Sequence, residues 1–199
     1  NGILIINRII GSSAILFSLI VLVGTVFNIY KLPSWPLRSP DGLSDSYHKK
    51  VFVPMYIAQQ LRKKSIAEYL LYMWQVEDLI RAYRCSLSRI KHEYIEKFDY
   101  TPEQKAEMAD WYGNLIRMMN EEGKRENGHL QINIGTLQDV NDLHLRLLQS
   151  TKFPFYNAEY YRVLPFIVEL RKKGDQKASE IETCLDALYG VMFLRLQHK

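Results

Sequence analysis

From Ile57 to Phe98 apolar side chains return every three or four positions, at Ile66, Tyr69, Met73, Val76, Ile80, Tyr83, Leu87, Ile90 and Tyr94, with no Gly or Pro between them. That period is the mark of an α-helix with one apolar stripe, and it predicts a single long helix over the whole stretch. Thr101-Pro102-Glu103-Gln104 then opens a second helix, with Thr101 as N-cap, Pro102 at the first helical position and Gln104 closing a capping box. Its apolar side is Met108, Trp111, Tyr112, Leu115, Met118 and Met119, and Gly123 stops it. Helical spacing resumes from Leu130 to Leu148 through Ile134, Leu137, Val140, Leu143, His144 and Leu147, with Thr136 after Gly135 offering a later start.

Asn157 caps a fourth helix through Lys173, with Tyr160, Tyr161, Leu164, Ile167 and Leu170 inward and Gly174 closing it. Pro165 inside it predicts a kink or a break into two shorter helices. The last helix starts at Asp175 or Ser179 and runs through Ile181, Cys184, Leu185, Leu188, Met192 and Leu196. No segment alternates with period two between turns, so the expectation is an all-α fold, an antiparallel bundle of about five helices.

The amino terminus follows another pattern. Residues 9–30 carry no charge over twenty-two positions, the length of a helix that crosses a bilayer. Arg8 alone precedes the run, whereas Lys31, Arg38, Lys49 and Lys50 follow it, which places the following domain on the cytoplasmic side. Residues 31–54, with Pro33, Pro36 and Pro40, read as a linker. The expected organisation is a membrane anchor in 1–30, a linker in 31–54 and a helical-bundle domain in 55–199. The first Met is Met55; translation starting there gives a soluble cytoplasmic domain instead of one anchored to the inner membrane.

Charge changes the picture little. Residues 1–54 hold five basic and two acidic side chains, +3 of the net +4, leaving 21 basic against 20 acidic from Met55 onward. A domain so balanced has no broad phosphate-binding face, and nucleic acid is not an expected partner. Cys85 and Cys184 each fall in a helical pattern without a neighbouring Cys or His, as buried free thiols do.

Catalytic and metal motifs are missing. The single Glu-x-x-His, Glu126 to His129, lies in a turn, and there is no second copy, no His-Glu-x-x-His and no glycine-rich phosphate loop or nucleophile elbow. No metal and no cofactor is expected. What remains is polarity beside the core: Glu77 and Arg84 flank Ile80, and Asn141 and His144 flank the Val140, Leu143, Leu147 stripe. If the two helices face each other, Glu77, Arg84, Asn141 and His144 converge in a pocket lined by Tyr69, Tyr83 and Trp111 that suits a small anionic or amphipathic ligand. As solvated helix pairs Glu77, Asp78 and Arg81 would contribute only a few tenths of a kcal/mol each, with His144 a satisfied boundary histidine. Phe153, Phe155, Tyr156, Tyr160 and Tyr161 form an aromatic group that either packs on the core or presents a partner-binding surface.

The strings IAQQLRKKSIAEYLLYMWQVEDLIRA at 57–82, NDLHLRLL at 141–148, LPFIVELR at 164–171 and LYGVMFLRL at 188–196 resemble a small bacterial family catalogued as domain of unknown function 4924. The resemblance covers the chain from Met55 on, implies an all-helical domain, and brings no activity or site residue with it. The function to expect is a non-enzymatic helical interaction module that binds a protein partner or self-associates. A ligand-binding or enzymatic bundle using the Glu77, Arg84, Asn141, His144 group is the alternative.

Overall fold

The computed structural model describes residues 53–197, with side chains through Met192, and every regular element among them is helical. In chain order these are α1 (Pro54–Lys64), α2 (Ile66–Ala82), α3 (Leu87–Glu93), a 3₁₀ turn (Ile95–Lys97), α4 (Pro102–Glu121), α5 (Gln131–Gln149), α6 (Pro154–Lys173) and α7 (Glu180–Gln197). The expected anchor and linker lie outside the described residues. Among the described residues no helix is long and apolar enough to cross a membrane. The chain divides into two compact units, one ending at Gly135 and one beginning at Thr136.

Seven helices stand where the pattern predicted about five, because the stretch from Ile57 to Phe98 breaks twice. Ser65 turns extended (φ −159°, ψ 106°), ends α1 and caps α2, its hydroxyl accepting the Glu68 N–H. The second break follows Ala82. Arg84 and Cys85 both adopt left-handed backbone (φ 57° and 53°), the Cys85 N–H donates to the Ile80 carbonyl, and the Arg84 N–H donates to that of Arg81. This is a Schellman ending built without glycine, so the strain of about 1 kcal/mol or more that L-residues meet there is borne by Arg84 and Cys85. Gly123 ends α4 with the same two bonds, Lys124 N–H to Met119 and Gly123 N–H to Asn120, at φ 67° that costs a glycine little.

In the first unit α2 is buried on nearly every side, through Ala67, Tyr69, Leu70, Leu71, Tyr72, Met73, Trp74, Val76, Glu77 and Ile80. The capping box at Thr101 and Gln104 forms as the sequence predicted, both bonds present. α4 buries Met108, Tyr112, Leu115, Ile116 and Met119, leaving Trp111 and Met118 half-buried. α3 crosses α4 at Gly113, where a Cβ would stand 3.3 Å from Leu87 Cδ2. Tyr94 closes the aromatic side of that contact, edge-on to Tyr112 at 6.0 Å and to Phe98 at 5.0 Å.

In the second unit α6 begins at Pro154 rather than at Asn157, and it runs unbroken through Pro165. Tyr161 and Pro165 are both exposed, so the carbonyl that a proline leaves without its donor meets solvent instead of core. The buried face is Tyr156, Tyr160, Val163 and Ile167, which shares Tyr160 and Ile167 with the expected one but turns Tyr161 outward. α7 starts after Ser179, whose hydroxyl accepts the Glu182 N–H while the Glu182 carboxylate accepts the Ser179 N–H. Ile181, Cys184 and Leu185 form its buried side.

Candidate functional site

Among the described residues each unit holds a buried polar network, one around Glu77 and one around His144, and the four residues singled out in the sequence fall two to each unit. Glu77 and Arg84 belong to the first unit, Asn141 and His144 to the second.

Glu77 sits in the middle of α2 with its side chain wholly buried (0 %). One carboxylate oxygen accepts the Leu130 N–H at 3.0 Å and the Asn133 Nδ2 at 2.7 Å; the other accepts His129 Nδ1 at 2.6 Å and lies 3.9 Å from the Arg81 guanidinium. Such a set of converging donors is what a buried carboxylate requires, since left alone it would cost several kcal/mol. Arg81 in turn pairs with Asp78 at 2.8 Å and donates to the carbonyls of Lys124 and Gly128. Asn133 accepts from the Tyr69 hydroxyl at 3.2 Å, and burial raises that phenol above its ordinary range, opposed by the Arg62 guanidinium over its ring.

The network explains how α5 begins without a local cap. Residues 129–131 contain no Ser, Thr, Asp or Asn, and the free N–H groups of Leu130 and Gln131 go instead to Glu77 and to Glu122 (2.7 Å). With α5 capped from a distance, Gly135 is carried inside the helix and Thr136 is not a cap. Trp74 stacks on His129 at 4.5 Å and 17°, so the imidazole is gripped by a ring on its face and a carboxylate at Nδ1. The remaining nitrogen, Nε2, belongs to a side chain that keeps 28 % of its exposure. A carboxylate-held imidazole of this kind is able to take up a proton from a substrate. Among the described residues, however, no group of three or more His, Cys, Asp or Glu could hold a metal ion. Arg84 stays outside the network: it is exposed beyond the end of α2, where its carbonyl accepts from Arg125.

His144, on α5, is buried to 1 % in the second unit. Its Nε2 lies 3.2 Å from the Glu180 carboxylate and so carries the proton, which leaves Nδ1 to accept from the Tyr156 hydroxyl at 2.5 Å. The Tyr160 hydroxyl donates to the second oxygen of Glu180 at 3.2 Å, with Arg171 3.9 Å away. Burial lowers the His144 pKa below its ordinary value, with Glu180 opposing, and keeps the imidazole neutral. Burial raises both phenols, Tyr160 to about 12, and the adjoining Cys184 thiol to about 12. Asn141, one turn before His144, is half-buried and donates nothing to this set.

Each network satisfies its central residue, Glu77 in one and His144 in the other, while Arg171 Nε at the edge of the second is buried without a hydrogen-bond partner. Glu77 and His144 were legible as polar residues at a core boundary, but their partners were not. His129 falls in a turn of the sequence pattern, Asn133 carries no signal there, and Tyr156 and Glu180 approach from other helices. No curated protein and no solved structure matches the chain. The all-helical sequence from residue 55 to the carboxyl terminus matches the model of a family described only as a domain of unknown function (DUF4924), and the chain belongs to that family.

Proposed function

We propose that the chain is a helical interaction module, working through an apolar face of α6. The observation that supports this reading is an inversion: Glu77 and His144 are buried among hydrogen-bond partners, while several large apolar side chains of α6 are outside. Phe155 keeps 89 % of its exposure and Tyr161 67 %, with Phe153 and Val168 also exposed on the same segment. Single apolar side chains on a surface mean little, but several along one helix mark a binding surface. The charge-free run of residues 9–30 supplies a tether on the same reading, holding the module at the cytoplasmic face of a membrane.

Photo-crosslinking in native cells tests this. A photoreactive phenylalanine at position 155, 161 or 168 of the full chain is expected to trap a second protein, and the same group at exposed Lys91 in the first unit to trap none. Equal yields from all four positions, or none from any, would overturn the proposal.

A further inference from the structure

Glu77 does more than hold the start of α5, because it also orients a half-buried imidazole. By accepting from His129 Nδ1 at 2.6 Å it keeps the ring proton there and leaves the Nε2 lone pair as the ring's reactive position. Trp74 covers one face of the ring at 4.5 Å, and Nε2 has no hydrogen-bond partner among the described residues. The 28 % of the side chain that stays exposed therefore lies at the Nε2 edge and on the other face. A cation lies against the preceding residue. Gly128, at φ 77°, has no Cβ, and the Lys124 Nζ sits only 3.3 Å from the place where one would be. Among the described residues that ammonium forms no ion pair, whereas the Arg81 guanidinium is taken up by Asp78 and by the carbonyls of Lys124 and Gly128.

We infer that His129 Nε2 is a nucleophile that accepts a phosphoryl group from an N-phosphorylated donor, a phosphoramidate. The inference is independent of the exposed face of α6. The Nε2 lone pair forms a bond to phosphorus as the donor's P–N bond breaks, and the donor nitrogen leaves with that electron pair. The Nδ1 proton stays on the ring, and the Glu77 carboxylate meets the positive charge that the ring acquires, so their hydrogen bond strengthens as the new bond forms. Lys124 attracts an anionic electrophile and does nothing for a neutral acyl group, which selects phosphoryl transfer. The bond broken and the bond formed are of one kind, so the transfer needs no other source of energy. His144 is held by a carboxylate too, but both of its nitrogens are engaged, Nδ1 by Tyr156 and Nε2 by Glu180, and the ring is buried. His92 offers the opposite case, an exposed imidazole with no carboxylate partner among the described residues.

Potassium phosphoramidate tests this on the purified full chain in detergent, at a mildly alkaline pH where an ordinary imidazole is neutral. Fragment mass spectra give the position and rate of each phosphoryl group, and phosphorus NMR tells the Nε2 adduct from the Nδ1 adduct. His129 is expected to react at Nε2 about tenfold faster than exposed His92, the gain from a charge-assisted hydrogen bond to a ring becoming cationic. Buried His144 should stay unmodified. In urea the rates at His129 and His92 should converge to within about twofold, since the advantage belongs to the folded arrangement. Lys124→Ala should slow His129 about threefold, the effect of one partly exposed charge, and leave His92 as it was. Equal native rates at His129 and His92, a Nδ1 adduct at His129, a preference that survives urea, or a Lys124→Ala chain that reacts as the wild type does overturns the inference.

Discussion

Replacing Glu77 with Ala withdraws one acceptor from three buried or half-buried donors at once, the Leu130 N–H, the Asn133 amide and His129 Nδ1. A hydrogen bond to a charged group contributes about 1.5–3 kcal/mol, and three that share one carboxylate are not additive. The better guide is the loss of one partner from a buried charged pair, about 3–5 kcal/mol. Against a total stability of about 5–15 kcal/mol for a domain, that is about a fifth or more of what holds the unit together. Glu77→Gln keeps the shape and one acceptor but turns a donor toward His129 or Asn133, and about 2–3 kcal/mol of loss follows. The control is Asp78→Ala, which breaks an exposed pair with Arg81 and should stay within about 1 kcal/mol. Urea unfolding followed by tryptophan fluorescence reads the correct unit, since Trp74 and Trp111 both lie in it and Trp74 stacks on His129. A double-mutant cycle of Glu77→Ala with His129→Ala should show a coupling above about 1 kcal/mol. If Glu77→Ala moves the midpoint no further than Asp78→Ala does, the network is not what fastens the start of α5 to α2.

Arg84→Gly should leave stability unchanged or raise it by up to about 1 kcal/mol in thermal unfolding, because glycine accepts φ 57° freely; in an unbroken helix the same change would cost about 1 kcal/mol. For His144, whose folded pKa lies below its ordinary 6.5, the unfolded chain binds the proton that the folded chain refuses. Its contribution is therefore flat above about pH 6.5, and stability falls as pH drops through that value until the folded pKa is passed. Subtracting the stability profile of His144→Gln from that of the wild type between pH 5 and 8 should isolate this slope, and parallel profiles would refute it. With its thiol at about 12 and fully buried, Cys184 should resist a disulfide reagent in the native chain and react rapidly in urea, counted by mass spectrometry.

Local rules carried most of the fold. Thr101 with Gln104, Gly123 and the Ser179 start each act within four residues of themselves, and a sequence shows all of that span. The break at Ser65 was also written locally, as Ser65-x-x-Glu68, but a continuous apolar stripe ran across it and masked it. Arg84 and Cys85 carried no mark at all, since a left-handed turn without glycine is imposed by the packing on either side of it. For the polar networks the limit is distance along the chain: Glu77 meets partners more than fifty residues away, and no periodicity encodes that meeting. The exposed stripe on α6 was hidden for a related reason. Tyr160 and Tyr161 are alike in the sequence, and only the choice of Tyr156 and Val163 as inward neighbours sends one in and the other out.

Photo-crosslinking from position 161 in native cells, the full chain beside its Phe155→Asp variant, tests the α6 interaction surface most directly. Position 161 should trap a second protein in the full chain and lose it in the variant, with unchanged helical circular dichroism because Phe155 is a surface residue. No crosslinked protein from position 161, or the same yield from the variant, would contradict it.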